Sequence, residues 1–257
     1  MKNPQSILIT GASSGIGEAL ARHYAADGVH LFLNGRDQNR LEVVQDDCTN
    51  LGAKVDIFVG NVTDETAMAV WLKSCDQTAP LDLVIANAGI GVGTDASANF
   101  HLAANRTFDT NVNGVFNTIH PALEGMLERG RGQIAIVSSL AAFRGLAGTA
   151  AYSGSKAAVL AYGEGMRGTL ADSGVEVSVV CPGYVRSRLT DRNDFKMPFF
   201  MEADKAVDII ARGLEKNKGR IVFPWPMMLV IQLALNLPSW LWDKLNRPRG
   251  NKREEQP

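Results

Sequence analysis

Short apolar runs alternate with longer amphipathic stretches along most of the chain. Seven runs have the length and composition of β-strands, at residues 6–10, 30–34, 54–59, 81–86, 133–138, 176–181 and 220–223. Several are almost continuously apolar, which is typical of parallel strands buried on both faces. Six stretches have helical spacing, at residues 15–27, 39–51, 65–75, 98–129, 150–173 and 203–216. The alternation predicts an α/β fold, a doubly wound parallel sheet of about seven strands with helices on both faces.

Length and charge favour one catalytic or binding domain over a nucleic-acid-binding protein. The chain has 257 residues, of which 46% are hydrophobic, enough for one sizeable core. We expect residues 1–223 to form a single domain. Residues 224–257 form an apolar C-terminal arm and a basic tail, within the same domain or at an interface. The net charge of −1 provides no broad basic field, so no nucleic acid is expected as a partner.

Cysteine and histidine usage indicates a reducing compartment and no metal site. The three cysteines, Cys48, Cys75 and Cys181, have no metal-ligand spacing and leave an odd count without a disulfide framework. The four histidines are scattered along the chain, so metal ligation is not expected. Residues 1–6 are too short and polar for a signal peptide. These features predict a cytoplasmic protein.

A glycine-rich turn follows the first predicted strand. It reads Thr10-Gly11-Ala12-Ser13-Ser14-Gly15-Ile16-Gly17 and opens the first predicted helix. Glycine removes side chains where a backbone must turn sharply and approach a pyrophosphate, and the following helix then presents free N–H groups to that anion. Ser13 and Ser14 add hydroxyl donors. The turn therefore predicts a site for a dinucleotide cofactor.

Candidate proton-transfer residues lie in the predicted helix at residues 150–173. Tyr152 and Lys156 are four residues apart, one helical turn, and Ser139 precedes the tyrosine by thirteen residues. A phenol has a pKa near 10, and a nearby ammonium lowers that pKa by stabilising the phenolate. Such a phenol can give a proton to a carbonyl oxygen or take one from an alcohol. With the glycine turn, this pattern predicts hydride-transfer chemistry.

The chain resembles the short-chain dehydrogenase/reductase family over about residues 5–223. The matching motifs are Thr10-Gly11 through Gly17, Ala86-Asn87-Ala88-Gly89, Asn111 with Gly114, Ser138-Ser139, Tyr152-Ser153-Gly154-Ser155-Lys156 and Pro182-Gly183. The resemblance implies a Rossmann-like fold and a catalytic tetrad of Asn111, Ser139, Tyr152 and Lys156. In this reading Tyr152 protonates the substrate oxygen and Ser139 holds it. Lys156 lowers the phenol's pKa and binds the nicotinamide ribose, and Asn111 relays protons to Lys156 through a water.

The resemblance also implies which residues contact the cofactor. Asn87, Ala88 and Gly89 line it at the end of the fourth strand, Pro182 and Gly183 flank the nicotinamide, and Ser187 replaces a usual threonine while keeping a hydroxyl for the carboxamide. The full expected set is Gly11, Ser13, Ser14, Gly15, Ile16, Gly17, Arg36, Asn61, Val62, Asn87, Ala88, Gly89, Tyr152, Lys156, Pro182, Gly183, Val185 and Ser187. Asn61 stands where the family commonly has an aspartate that holds the adenine amino group, and its carbonyl oxygen can accept the same bond.

Cofactor choice depends on the segment after the second strand. An acid at the position of Gly35 would bind the adenosine ribose hydroxyls and select NAD(H), but here a glycine is followed by Arg36. A guanidinium at this point can form bidentate hydrogen bonds with a 2′-phosphate. The alternative is an ordinary solvent-exposed arginine near a helix start. We therefore expect NADP(H) to be preferred, with NAD(H) as the second option.

The expected substrate is a hydrophobic carbonyl compound or the matching alcohol. Residues 184–201 lie where the family has a mobile lid. Phe143 follows the catalytic serine, and the lid contains Phe195, Met197, Phe199 and Phe200. Such a rim favours an apolar substrate, unless these side chains pack against the body or a partner subunit. The leading reading is an NADPH-dependent carbonyl reductase that forms a homodimer or homotetramer. The alternatives are a cofactor-binding regulator without catalysis, which the intact tetrad argues against, and an isomerase or dehydratase on the same scaffold.

The C-terminal arm is unusually apolar. Residues 221–242 contain no charged side chain and three of the four tryptophans, and three prolines interrupt them. A helix over residues 227–237 would be about 16 Å long, too short to span a bilayer of about 30 Å. A helix continuing past Pro238 would align Gln232, Asn236, Ser239 and Asp243 in one polar stripe. We favour packing against protein. The alternative is peripheral membrane contact through residues 224–245, with the tryptophans at headgroup depth and a basic tail of Lys244, Arg247, Arg249, Lys252 and Arg253 against Glu254 and Glu255.

Overall fold

A seven-stranded parallel sheet organises the chain. The structure is a computed structural model that describes residues 1–91, 100–191 and 197–247. The strands are β1 (Ser6–Thr10), β2 (His30–Gly35), β3 (Lys54–Val59), β4 (Leu83–Ala86), β5 (Gly132–Val137), β6 (Val175–Pro182) and β7 (Arg220–Phe223). Their order across the sheet is β3-β2-β1-β4-β5-β6-β7. The predicted doubly wound architecture is confirmed.

Helices cover both faces of the sheet. They are α1 (Gly15–Tyr24), α2 (Gln38–Asn50), α3 (Glu65–Thr78), α4 (Phe100–Phe108), α5 (Gly114–Arg129), α6 (Ala150–Thr169), α7 (Arg188–Asp191), α8 (Ala203–Glu215), α9 (Trp225–Leu235) and α10 (Ser239–Leu245). A π-helical segment, Asp109–Asn113, joins α4 to α5, and a short 3-10 turn, Leu140–Ala142, follows β5.

Most predicted elements exist, and the largest differences lie at helix ends. The single helix predicted over residues 98–129 is divided by the π-helical segment, and residues 98–99 lie outside the described residues. Helix α1 ends at Tyr24 because Ala25 has an extended backbone, with ψ of 118°, and the chain then turns at Gly28, which has φ of +82°. Helix α6 ends at Thr169, after which the Ser173 hydroxyl donates to the Leu170 carbonyl and Gly174 has φ of +79°. Glycine adopts such left-handed backbone angles without steric cost.

The hydrophobic core lies on the two faces of the sheet. Ile7 and Ile9 of β1 point to the face covered by α1, α2 and α8, whereas Leu8 points to the face covered by α3, α5 and α6. Both sets are fully buried, which explains why the central strands are almost continuously apolar. Cys48, Cys75 and Cys181 are free, buried thiols. The core thus fixes the sheet that positions every candidate site residue.

The C-terminal arm forms two helices and packs on the domain with one side only. Met227, Met228 and Ile231 contact the cluster formed by Leu140 and its neighbours, whereas neither α9 nor α10 contains a fully buried residue. The condition for the polar stripe is not met, because α9 ends at Leu235 and Pro238, which lacks an N–H, precedes a new helix. Within the described residues, no helix has both the length and the apolar character needed to cross a bilayer.

Candidate active site

The candidate residues meet at the carboxyl edge of the sheet. Parallel strands bring the loops after their carboxyl ends to one edge, where ligands of doubly wound folds bind. The glycine turn follows β1, Asn87 follows β4, Ser139 follows β5, and Gly183 follows β6. The topology therefore brings together motifs that are far apart in the sequence.

The glycine turn has no room for side chains. Gly11 and Gly15 have φ of +67° and +60°, in the left-handed region that favours glycine. A Cβ atom at Gly17 would lie 2.4 Å from the Gly11 carbonyl oxygen, and a Cβ at Gly15 would lie 2.7 Å from the Cβ of Ser187. The backbone at the start of α1 is therefore bare, and Ser14, the residue before the helix, makes no capping hydrogen bond. This cradle fits a pyrophosphate, which would accept from the bare backbone N–H groups and the serine hydroxyls.

Asn87 ties the glycine turn to the end of β4. Its side-chain amide donates to the Thr10 carbonyl at 2.9 Å and to the Gly11 carbonyl at 3.3 Å. The Thr10 hydroxyl accepts from the backbone N–H groups of Asn87 and Ala88 at 3.1 and 3.2 Å. Asn87 therefore acts by fixing the turn that would hold the cofactor, and Thr10 is its partner.

Lys156 lies buried between helix α6 and the strand ends. Its residue is 3% exposed, and its ammonium donates to the Val137 carbonyl at 2.8 Å. Burial disfavours the charged form and lowers the pKa of Lys156 from 10.5 to about 8. The Ser138 hydroxyl donates to the Lys156 carbonyl at 2.7 Å and so attaches the helix to β5. The lysine is positioned by strand and helix together.

Asn111 occupies the π-helical segment and closes the other side of the site. Its carbonyl oxygen accepts from the Ile90 N–H at 2.8 Å, and its amide donates to the Ile90 carbonyl at 2.9 Å and to the Ser155 hydroxyl at 3.0 Å. A Cβ at Gly89 would lie 3.2 Å from both the Asn111 oxygen and the Lys156 ammonium. Glycine therefore keeps a gap between these two groups. The proton relay through that gap stays a prediction.

The Ser139 and Tyr152 side chains are hydrogen-bonded to each other. Ser139 also accepts from the Ala141 N–H at 3.1 Å, which fixes its hydroxyl at the start of the 3-10 turn. Tyr152 lies on α6 one turn before Lys156, whose ammonium is 6.0 Å from the centre of the tyrosine ring. The arrangement places two hydroxyls where they can share one substrate oxygen.

The expected lowering of the Tyr152 pKa is not what this arrangement gives. Burial raises the pKa of the Tyr152 phenol, and the hydrogen bond with Ser139, which favours the phenolate, is the smaller influence. The Lys156 ammonium instead donates to the Val137 carbonyl. In the chain alone, Tyr152 therefore holds its proton at neutral pH.

The amino-acid sequence, together with this geometry, shows the family to which the chain belongs. Residues 5–197 match the family model described as short chain dehydrogenase. The chain belongs to the short-chain dehydrogenase/reductase family. The resemblance drawn from the six motifs is thereby confirmed.

Relatives and a solved structure agree with that membership. An uncharacterised oxidoreductase of Myxococcus xanthus is 40% identical over 244 residues, covering 95% of this chain and 96% of the relative. The ketoacyl reductase HetN of a Nostoc species is 33% identical over 183 residues, covering 70% of this chain and 63% of that protein. A short-chain dehydrogenase from Sphingobium yanoikuyae, solved in complex with NADPH, is 25% identical with a TM-score of 0.79, covering 91% of this chain and 96% of that one.

Several expected cofactor residues of this short-chain dehydrogenase bury their side chains. Val185 is 3% exposed and Val62 is 4% exposed, and Ile16 packs against the core. Asn61 is exposed at the surface, and its side-chain oxygen accepts from the Thr63 N–H at 3.2 Å. A carbonyl oxygen has a second lone pair, so Asn61 can still accept from an adenine amino group.

The nicotinamide end of the expected site lies against the C-terminal arm. Pro182 ends β6, and the Gly183 N–H donates to the Phe223 carbonyl at 2.8 Å. A Cβ at Gly183 would lie 2.9 Å from Pro224 and 3.0 Å from the Met227 sulfur. The arm therefore packs directly behind the Pro-Gly motif.

Three supporting hydroxyls were not assigned roles from the sequence. Thr10, Ser138 and Ser155 hold Asn87, Lys156 and Asn111 in place, respectively. The sequence could have indicated these hydroxyls, because each of the three residues lies directly beside a site residue in the chain. Their partners, however, are backbone and side-chain atoms from distant segments, which spacing alone does not reveal.

Proposed function

We propose that this protein is an NADPH-dependent oxidoreductase that moves a hydride between the nicotinamide and a carbonyl or secondary alcohol. The main support is the hydrogen-bonded Ser139–Tyr152 pair, with Lys156 one turn away, at the sheet edge that carries the glycine turn. The bound cofactor supplies the hydride. The chain's own residues supply the proton, the hydrogen bond to the oxygen and the orientation.

The protonated state of Tyr152 suits the reduction of a carbonyl. Charge develops on the substrate oxygen as the hydride arrives, so a donor aimed at that oxygen stabilises the transition state. Tyr152 keeps its proton at neutral pH because burial raises its pKa. It can therefore donate to the oxygen, while Ser139 donates a second hydrogen bond. Lys156, with a pKa lowered to about 8, is suited to restore the tyrosine proton.

The adenosine end of the site supports NADPH over NADH. A Cβ at Gly35 would lie 3.0 Å from the Ser13 side chain, so an acid at this position would press against the glycine turn. Asp37 is already engaged, because it accepts from the Arg40 N–H at 3.2 Å as the cap of α2 and forms an ion pair with the Arg40 guanidinium. Arg36 is exposed beside them and free to meet a 2′-phosphate.

Replacing Arg36 by alanine should narrow the preference for NADPH about ten- to a hundredfold, because a charge-assisted contact to the 2′-phosphate is lost. The ratio of the NADPH and NADH dissociation constants, measured by cofactor fluorescence, reports this change. Lys54→Ala is the control. Lys54 begins β3 and pairs with His30 at the start of β2, so it lies at the amino end of the strands, whereas Arg36 follows the carboxyl end of β2. An unchanged ratio in Arg36→Ala would show that this arginine does not select the cofactor.

The surroundings of the reacting groups favour a hydrophobic carbonyl substrate. Phe199 is 50% exposed, and Tyr184 lies close enough to Tyr152 to influence its pKa. Phe143 contacts the Arg220 guanidinium and so packs on the body, whereas Phe200 contacts the Arg186 guanidinium within the expected lid itself. Phe195 lies outside the described residues. HetN, a relative named as a ketoacyl reductase, makes ketoacyl thioesters a sensible part of the substrate panel.

The experiment that tests this function is NADPH oxidation over aldehydes, ketones and ketoacyl thioesters of increasing chain length. We expect one NADPH consumed for each alcohol formed, with kcat/KM rising with apolar chain length. A regulator without catalysis would bind NADPH and turn over none of these compounds. An isomerase or dehydratase would convert its substrate without consuming NADPH.

A further inference from the structure

The C-terminal arm presents large apolar side chains to the outside. On α9, Trp225 is 72% exposed, Leu229 is 56%, Val230 is 58% and Leu233 is 73% exposed, and on α10 Trp240 is 69% exposed. A single exposed leucine is ordinary, but a contiguous apolar cluster usually marks a surface that contacts something else.

These side chains form one continuous face. Trp225, Leu229 and Leu233 are spaced by four residues along α9 and therefore lie along one side of the helix. The polar residues on the same side, Gln232 and Asn236, carry no charge. Residues 221–242 contain no charged side chain, so only the amides of Gln232 and Asn236 oppose the transfer of this face into an apolar medium.

The arm is held firmly, so its outward face is a defined surface. The Arg144 guanidinium donates to the carbonyls of Ala234 and Leu237 and lies 4.5 Å from the centre of the Trp242 ring. The Asn246 side-chain oxygen accepts from the Ala147 N–H at 3.0 Å. These contacts attach both helices of the arm to the loop that follows Ser139.

Charge favours an anionic lipid surface over a second copy of this chain as the partner of this face. Residues 244–257 carry five basic and two acidic side chains, against a net charge of −1 for the whole chain. Lys244 in the last turn of α10 and Arg247 two residues beyond the helix are exposed, as is the neighbouring Asp243. In a two-fold contact, a second copy of this chain would present the same surface with the same excess of positive charge, so the basic residues would add no charge complementarity. Anionic lipid headgroups would attract them.

We infer that residues 224–247 dock the protein on an anionic lipid bilayer, with the outward face of α9 and Trp240 at the boundary between headgroups and acyl chains. Helix α9 has 11 residues and extends about 16 Å, so it lies along the surface rather than across the bilayer. Tryptophan suits headgroup depth because its ring is apolar and its N–H can stay hydrated.

Docking of this kind places the loop that follows Ser139 near the lipid. Met227 contacts the Pro-Gly motif through Gly183, and the arm's inner face packs on Leu140, the residue after Ser139. A substrate dissolved in the bilayer would then have a short path to Tyr152. The docking itself does not depend on the reaction proposed above.

Co-sedimentation of the full-length protein with vesicles tests the docking. We expect binding to vesicles of equal parts phosphatidylglycerol and phosphatidylcholine, and weaker binding to phosphatidylcholine alone and at high salt. The double variant Leu229→Gln/Leu233→Gln should lower the partition coefficient about tenfold or more, because two apolar side chains no longer enter the interface. Glutamine keeps good helix propensity, so α9 is retained.

The matched control replaces exposed apolar residues on other helices. Val43 and Val70 are 56% and 68% exposed on α2 and α3, and Val43→Gln/Val70→Gln should bind vesicles like the wild type. Absence of sedimentation with anionic vesicles, or equal sedimentation with neutral ones, would overturn the inference. It would also be overturned if Leu229→Gln/Leu233→Gln binds vesicles normally while its mass in light scattering drops, because the arm would then be a subunit interface.

Discussion

We expect Tyr152→Phe to lower the kcat of carbonyl reduction by at least about a hundredfold and up to about 10⁴-fold, because it removes the group that we propose protonates the substrate oxygen. The change deletes one oxygen and its hydrogen bond with Ser139, while the ring still fills the same space on α6. Steady-state kinetics with the preferred carbonyl substrate measure the loss. NADPH binding and thermal stability should stay close to wild type.

Tyr162→Phe is the matched control for this variant. Tyr162 lies on the same helix, is 37% exposed, and its hydroxyl is hydrogen-bonded to His120 at 2.8 Å, so it takes no part in the site. We expect kcat of Tyr162→Phe to match that of the wild type. If Tyr152→Phe keeps more than about a tenth of wild-type kcat, Tyr152 is not the proton donor.

Lys156→Met has two opposite effects. We expect it to abolish most activity and weaken NADPH binding, because it removes the ammonium that we propose restores the tyrosine proton and binds the ribose. In the chain without cofactor it raises the free energy of unfolding at pH 7. Lys156 is 3% exposed, and within the described residues no carboxylate forms an ion pair with it. Methionine fills a similar volume without a charge to desolvate.

The pH dependence of stability follows from the direction of the Lys156 pKa. Folding lowers this pKa from 10.5 to about 8, so between these values the unfolded chain holds more protons than the folded one. The stability of the wild type relative to Lys156→Met therefore rises as pH increases from about 8 to 10.5. Below pH 8 the free-energy cost of burying the charged Lys156 is fully present. A shift of this size corresponds to about 3 kcal/mol, of which we expect about 1–3 kcal/mol to appear as a gain in the variant.

Urea denaturation of the cofactor-free proteins at pH 7 and pH 10 measures the difference. Lys54→Met is the control, because Lys54 is exposed at the start of β3 and should show neither the gain at pH 7 nor its loss at high pH. If Lys156→Met is less stable than the wild type at pH 7, burial of this lysine does not destabilise the fold.

Much of the sheet could be predicted from local sequence because its strands are buried on both faces. Residues such as Ile7, Leu8 and Ile9 are all fully buried, and a continuous apolar run is the direct result. The glycine turn could also be predicted from the sequence, since Gly15 and Gly17 have no space for a Cβ and must be glycines. Helix ends were less so: the end of α6 depends on a Ser173 side-chain bond and the backbone angle of Gly174.

The parts of the site that sequence could not reveal depend on burial and on distant partners. Spacing shows that Lys156 is one turn from Tyr152, but not that its ammonium donates to Val137 or that burial raises the phenol's pKa. Likewise, the pattern of the arm indicated an apolar surface. Only packing shows that Met227 and Ile231 face the domain while Leu229 and Leu233 face outward.

Transfer of deuterium from NADPH labelled at the reactive C4 position tests the proposed chemistry in one measurement. If Ser139, Tyr152 and Lys156 form a hydride-transfer site, mass spectrometry of the alcohol product should find one deuterium on the former carbonyl carbon for each NADPH oxidised. In Tyr152→Phe the labelled product should form at least about a hundredfold more slowly. Product that carries no deuterium, or that forms without oxidation of NADPH, would contradict the assignment of this site as a carbonyl reductase.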